Sequence, residues 1–239
     1  MLGPVLLTLL LQAPAAGADS PRSLPAVVKD LPHAFARLPR WRNLAVLAAS
    51  GAAAAAVHGD DRDLTEDAAG SMIVDRLTEG GSIVGGGYVQ VGAAFATWLA
   101  GAATHHPAAE GLGGDLLEAQ AMNGVLTSAV KYSVQRRRPD GGRYSFPSGH
   151  TSATFATAAV LQAHYGLKAG LPAYALGAYV AAARLHDRKH FASDALMGAG
   201  IGLVSGRAVG RPGRGARLTA ALVPLDRGVA VTGAVACPW

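Results

Sequence analysis

Apolar residues run along this chain in long blocks separated by short polar or glycine- and proline-rich stretches. Blocks at 43–57, 83–104, 115–136, 151–165, 171–185 and 194–208 exceed the usual length of a strand and predict six helices. Breaks at Gly59-Asp60-Asp61, His106-Pro107, Gly141-Gly142 and Gly170-Leu171-Pro172 separate them. Some blocks approach the ~20 apolar residues that a membrane span requires, whereas others stop at about 15 and carry polar residues at mid-helix. The pattern alone leaves open a bundle that spans a bilayer, one that lies against it and one that is soluble.

The flanking segments read differently. An apolar run at 5–11, followed by Ala16-Gly17-Ala18, has the length and small-x-small ending of a signal peptide spanning 1–18, with an uncleaved N-terminal anchor as the alternative. Its n-region carries no Lys or Arg. Residues 19–41 hold several prolines and mixed charge, which predicts a linker or a short irregular helix. The helical domain is expected at 42–210. In the tail at 211–239 the pattern alternates loosely about Asp226-Arg227-Gly228, and a short β-hairpin is expected there.

At 239 residues the chain suits one substantial domain. Half of its residues are hydrophobic and 15% are charged, which excludes a disordered chain. Alanine and glycine supply much of the apolar share, so the helices should meet at small residues, and Gly198, Gly202 and Gly206 mark one such face. A net charge of +5 favours an anionic partner. The basic residues are scattered except at Arg136, Arg137 and Arg138, which is not the continuous basic face with interleaved aromatics that nucleic acid requires. Phosphate or an anionic membrane surface fits better. The single cysteine, Cys237, precludes an intramolecular disulfide.

Three polar clusters interrupt the apolar pattern. In Lys131–Pro139, Lys131 and Arg138 are seven positions apart, so two helical turns would place both cations on one face, with Pro139 ending the helix. A solvated helix end explains such a run equally well. In Pro147-Ser148-Gly149-His150, Ser148 is a natural N-cap, Gly149 allows close backbone approach, and the first-turn amides form an anion cradle with His150 at its lip. In Arg184–Asp194, His190 and Asp194 are four apart, so on a helix the carboxylate would fix the imidazole tautomer and leave Nε2 as a nucleophile. The bland reading is an ordinary His–Asp helix pair. The spacing of His186 and His190 would suit zinc, but the glutamate of HExxH is absent and Arg184, Arg188 and Lys189 oppose a divalent cation, so no metal site is expected.

Taken together, Lys131-x6-Arg138-Pro139, Pro147-Ser148-Gly149-His150 and Arg184-x5-His190-x3-Asp194 resemble the three signature motifs of the type 2 phosphatidic acid phosphatase and vanadium haloperoxidase superfamily, in order and in spacing. The resemblance covers 131–194, and the helical pattern extends it to about 40–210. It implies an all-α bundle of about six helices with the site at its core. It also implies that Lys131, Arg138 and Arg184 bind phosphoryl oxygens, that Ser148 and the Gly149 amide complete the cradle, that His190 attacks phosphorus with Asp194 orienting it, and that His150 protonates the leaving group. No cofactor is implied, and vanadate is expected as an inhibitor. One departure is Ala183, where members often carry a serine that would brace the arginine.

The implied function is a metal-independent phosphatase acting on a phosphate monoester or diphosphate through a phosphohistidine. A lipid phosphate or polyprenyl diphosphate is favoured because the chain is apolar and carries an export signal, which places it in the periplasm or on the periplasmic face of the inner membrane. A periplasmic acid phosphatase acting on soluble substrates is the close alternative. A vanadium-dependent haloperoxidase ranks lower, since those enzymes are typically larger. A channel or scaffold would leave the three clusters without a role.

Overall fold

A computed structural model describes residues 22–69, 75–209, 217–225 and 228–236. The expected signal segment and parts of the tail lie outside these residues. The described helices are α1 (Leu24–Ala36), α2 (Trp41–Val57), α3 (Asp61–Ala69), α4 (Asp75–Val84), α5 (Gly87–Ala103), α6 (Pro107–Val134), α7 (Gly149–Tyr165), α8 (Leu167–His186) and α9 (Ala192–Val209), with a 3₁₀ turn at His58–Asp60. The fold is all-α. Beyond the bundle, β1 (Arg217–Leu225) and β2 (Gly228–Ala236) pair antiparallel, with Leu225 opposite Gly228.

Helix α7 lies at the centre, packed against α6, α8 and α9, while α5 covers α6 and α2 covers α9. Small residues set these distances. A Cβ on Gly202 would overlap the Ser152 carbonyl, one on Gly206 would stand 2.5 Å from the Ala156 carbonyl, and one on Gly198 would meet the Ser148 carbonyl at 2.6 Å. The Gly198–Gly202–Gly206 face is therefore the seam between α7 and α9, close enough for backbone-to-backbone contact. On α6, Gly113 receives the backbone of Trp98 from α5 in the same way.

The apolar core is gathered at one pole, where Leu112, Leu116, Ala119 and Met122 of α6 meet Ala34 of α1, Val160 of α7 and Val209 of α9. A buried ionic network sits on the same side. Arg22 reaches Asp115, Glu118 (2.8 Å) and Asp30 (2.6 Å), and His164 Nε2 lies 2.8 Å from Asp115. A buried cation is tolerated only when paired in this way. All three polar clusters of the sequence fall at the opposite ends of the same helices.

Several boundaries differ from the expectation, each for a physical reason. The stretch 19–41 contains α1, which packs on α6 with Val27 and Ala34 buried. Pro25 stands in its first turn, where no amide is needed. Helix α6 begins at Pro107 rather than at 115, because Pro107 is an N1 residue and the His106 side chain accepts from the Ala109 amide at 3.3 Å. What read as one helix over 83–104 is the end of α4 and all of α5, divided at Gly85-Gly86. Helix α8 runs through Gly170-Leu171-Pro172, where Gly170 fits against Gln162 and Gly177 against the Phe155 ring. Helices α3 and α4 were not anticipated, being too polar or too short to show an apolar period.

Among the described residues, no helix is long and apolar enough to cross a membrane. Apolar side chains nevertheless face outward in number, including Trp41 (73% exposed), Tyr88 (97%), Val125, Tyr132, Leu167 and Leu171.

Candidate active site

The polar pole is assembled from helix ends. Helix α6 stops at Val134 because Gln135 turns into the left-handed region (φ 51°), its amide closing on the Lys131 carbonyl. Arg138 is therefore not on the helix. It lies in the extended segment that follows, held by its amide to the Gly142 carbonyl (2.8 Å) and by Nε to the Arg143 carbonyl (3.0 Å). Lys131 Nζ donates to the Tyr144 carbonyl at 2.7 Å. The two cations thus approach through a folded-back loop rather than through two helical turns. Gln135, Tyr144 (φ 61°) and Arg188 (φ 53°) all hold left-handed backbone without being glycine, a costly conformation that tends to gather at functional loops.

Ser148 caps α7 as expected. It is fully buried, and its Oγ receives the Thr151 amide (3.4 Å) and shares a hydrogen bond with Thr151 Oγ1 (2.9 Å). Its hydroxyl is thereby engaged in the cap. The first-turn amides of Gly149 and His150 have no helical carbonyl to bond. A Cβ at Gly149 would stand 3.8 Å from Lys131 Cε, which places the Lys131 stem beside the mouth of this cradle.

His190 lies in the turn before α9 rather than on a helix, with 2% exposure. Its Nδ1 faces Asp194 Oδ2 at 3.6 Å, beyond hydrogen-bonding distance, and has no other partner among the described residues. Asp194 stands in the first turn of α9, where Oδ2 accepts the Phe191 amide (2.9 Å) and the Ser145 hydroxyl, and Oδ1 accepts Arg136 Nη1 (2.8 Å). Its own carbonyl accepts the Ser148 amide at 2.9 Å. One residue thus accepts the amide that precedes α9, faces His190 and ties the second motif to the third. Burial pushes the Asp194 carboxyl up, but His190, the hydrogen bonds from Ser145 and Phe191, and the charge of Arg136 outweigh it and hold its pKa below the ordinary range.

Arg184 is buried at the end of α8. Its Nη1 donates to the Ser82 hydroxyl on α4 and to Asp187 Oδ2 (3.0 Å), and Ser82 Oγ itself donates to Asp187 at 2.6 Å. The brace expected to be missing at Ala183 comes from another helix.

Convergence is registered by His150. Burial first, then the charges of Arg184, His190, Arg138 and Lys131, push its pKa down to about 4. Lys131, buried beside Arg138, is lowered to about 8. Burial likewise lowers His190, against the pull of Asp194. Both imidazoles are therefore neutral at neutral pH before any anion arrives.

Four participants were missed in the sequence. Arg136 bridges Asp194 and Asp61 (Nη2, 2.8 Å), with its guanidinium 4.1 Å over the Phe191 ring. Asp61, the first residue of α3, is buried and accepts the Ser193 amide (2.9 Å) and hydroxyl (2.5 Å). Ser145 and Ser82 complete the group. Asp61 and Ser82 stand far from the motifs in sequence, and no spacing rule could have linked them to the site.

Fold and site together define an all-α protein with a cationic cluster and two histidines between helix ends. Residues 112–211 match the model of the PAP2 superfamily and contain every site residue expected from the motifs. Through this segment the chain is similar to the PAP2 superfamily. A lipid A 1-phosphatase of Porphyromonas gingivalis is 37% identical over 90 residues, 36% of this chain, and the aligned region spans only 20% of that relative's length. Among solved structures, a transmembrane PAP2-type phosphatidylglycerolphosphate phosphatase from Bacillus subtilis aligns with a TM-score of 0.60 at 20% identity, covering 71% of this chain and 94% of the other. LpxE of Aquifex aeolicus aligns with a TM-score of 0.51 at 22% identity, covering 60% and 90%. These two likenesses concern the fold.

Proposed function

We propose that the chain is a metal-independent phosphatase of lipid phosphates, and that it works through a phosphohistidine on His190. The observation that carries the reading is the set of charges surrounding His150. Lys131, Arg138 and Arg184 approach one neutral imidazole, with a second imidazole facing a carboxylate beside it. Phosphoryl transfer needs alignment and charge stabilisation above all, and three fixed cations supply the positive charge that a metal would otherwise bring.

In this reading the Nδ1–H of His190 points to Asp194, leaving the Nε2 lone pair to attack phosphorus while the ester P–O bond breaks. His150 gives its proton to the departing oxygen. Its pKa near 4 describes the empty site. A bound phosphate dianion offsets the three cations, Lys131, Arg138 and Arg184, and raises the imidazole towards the protonated form. Water then attacks phosphorus, loses its proton to His150, and the P–N bond breaks to release phosphate and free His190.

A lipid substrate is supported by the name of the sequence relative and by the outward-facing apolar side chains, which suit a membrane surface. Export is part of the proposal and rests on the N-terminal segment 1–18.

The test is phosphate release from a panel of lipid and soluble phosphates, with EDTA present, comparing wild type with His190→Ala. Activity that survives EDTA, is blocked by vanadate and falls by orders of magnitude in the variant is expected. A strict requirement for added metal, or an active His190→Ala protein, would refute the mechanism.

A further inference from the structure

Beside the reaction centre, and sharing Arg138 with it, lies a cavity of about 860 Å³ between α3, the loop after α6 and the turn before α9. Five arginines line it (Arg62, Arg136, Arg137, Arg138 and Arg188) against two carboxylates, Asp61 and Glu66. Two of these charges are already committed to each other. Asp61 is taken by Arg136 and Ser193, and Arg136 is held in place by Asp61, Asp194 and the face of Phe191. Arg138 belongs to the cluster around His150. That leaves Arg62, Arg137 and Arg188 with Glu66 as the one carboxylate still unspent on the wall, and none of the three arginines makes an ion pair with a described residue.

Three guanidinium groups delivered to one concavity by three separate segments repel each other unless an anion lies among them. Guanidinium forks match phosphate oxygens in geometry as well as charge. Arg188 adds its side chain from a left-handed residue, where glycine would fold more easily. Because Arg137 and Arg138 are consecutive, an anion in this cavity would lie alongside the phosphate undergoing hydrolysis.

We propose that this cavity binds a second phosphate group carried by the substrate itself, so that the preferred substrates are those with two separate phosphates. The inference rests on the phosphatase reading above for its substrate, and on the unpaired arginines alone for its site. The decisive comparison uses hexanediol and decanediol monophosphates with the matching bisphosphates, on wild type and on the triple variant Arg62→Gln/Arg137→Gln/Arg188→Gln. Wild type should prefer a bisphosphate, and the variant should lose about ten-fold of that kcat/KM preference, while its activity on the monophosphates stays within about two-fold. An unchanged ratio of bisphosphate to monophosphate overturns the proposal.

Titration calorimetry with inorganic phosphate separates this outcome from failure of the phosphatase reading. Two sites are expected in wild type, of which the triple variant loses one and Arg184→Gln the other. A single site that is untouched in the triple variant overturns the cavity assignment whatever the activity shows. A second site that disappears in the variant without any change in substrate preference overturns the substrate assignment and leaves a site for free phosphate. If wild type hydrolyses neither the diol phosphates nor the lipid phosphates of the panel above, the phosphatase reading fails, and the phosphate stoichiometry still decides the site.

Discussion

Lys131 makes the proposed phosphate site sensitive to pH in a direction that can be worked out in advance. Its ammonium is lowered to about 8 because it is buried and lies near Arg138, with Asp194 pulling weakly the other way. The charged form binds phosphate, so affinity is complete below that pKa and is lost as pH rises through it. Since kcat/KM reports the free enzyme, loss of the Lys131 proton should add a break near pH 8, beyond which the profile falls by a further ten-fold per unit. The kcat profile should break at higher pH, because a bound phosphate anion holds the proton on Lys131. In Lys131→Arg the guanidinium remains charged throughout, so the falling limb should vanish while kcat/KM at pH 7 drops only a few-fold. In Lys131→Met a charged hydrogen bond worth about 1.5–3 kcal/mol is lost, roughly a 10- to 150-fold decrease with no limb. The assay is initial-rate phosphate release from pH 5 to about 10. A break that stays at the same pH in Lys131→Arg would refute the assignment.

Three further substitutions probe the supports of the site. Ser82→Ala removes one partner of the buried Arg184 Nη1, leaving Asp187 at 3.0 Å. KM should rise about five-fold with kcat within about two-fold, and Ser82→Thr should restore it, whereas a merely structural role would lower thermal stability without dividing KM from kcat. Gly202→Ala drives a methyl group into the Ser152 carbonyl, so calorimetry should record a loss of about 1–3 kcal/mol, while Gly124→Ala, with open space around it, should be neutral or mildly stabilising. Asp61→Asn keeps the shape but removes the charge that meets Arg136 and the Ser193 amide. A cost of roughly 1–3 kcal/mol in denaturant unfolding and a lower kcat are expected, since α9 loses one of the two anions at its N-terminus and Arg136 keeps Asp194 as its one carboxylate partner among the described residues.

What the sequence made legible followed from periodicity and from short-range motifs. The central helices are long and apolar, so α7 and α9 emerged within two residues of their ends. Ser148 was readable as a cap because capping chemistry is local. The Gly198–Gly202–Gly206 face pointed to close contact without naming the partner. Geometry assumed from helical spacing was less secure. Arg138 and His190 both lie beyond helix ends, in loops shaped by the positive φ of Gln135 and Arg188, and no periodic rule describes such turns. Proline misled in the opposite sense, since Pro25 and Pro107 begin helices rather than break them.

The case of Ala183 shows why a motif is an incomplete description of a site. Read alone, the missing hydroxyl beside Arg184 suggests a weakened phosphate ligand. In the fold, α4 passes so close to α8 that a Cβ on Gly81 would stand 2.6 Å from the Ala183 Cβ. That approach brings the next residue, Ser82, onto the guanidinium and onto Asp187 together. The small side chain at 183 and the hydroxyl at 82 therefore belong to one packing solution, in which the brace has moved from the arginine's own helix to its neighbour. Helix α4 lies outside residues 112–211, so the segment that carries the motifs depends on a part of the chain in which no motif was visible. The same holds for Asp61 on α3, which fixes the N-terminus of α9 from outside that segment. A truncated protein limited to the matched residues would keep all eight motif residues but lose Ser82 from Arg184 and Asp61 from Arg136 and Ser193, so it should bind phosphate poorly even if its helices formed.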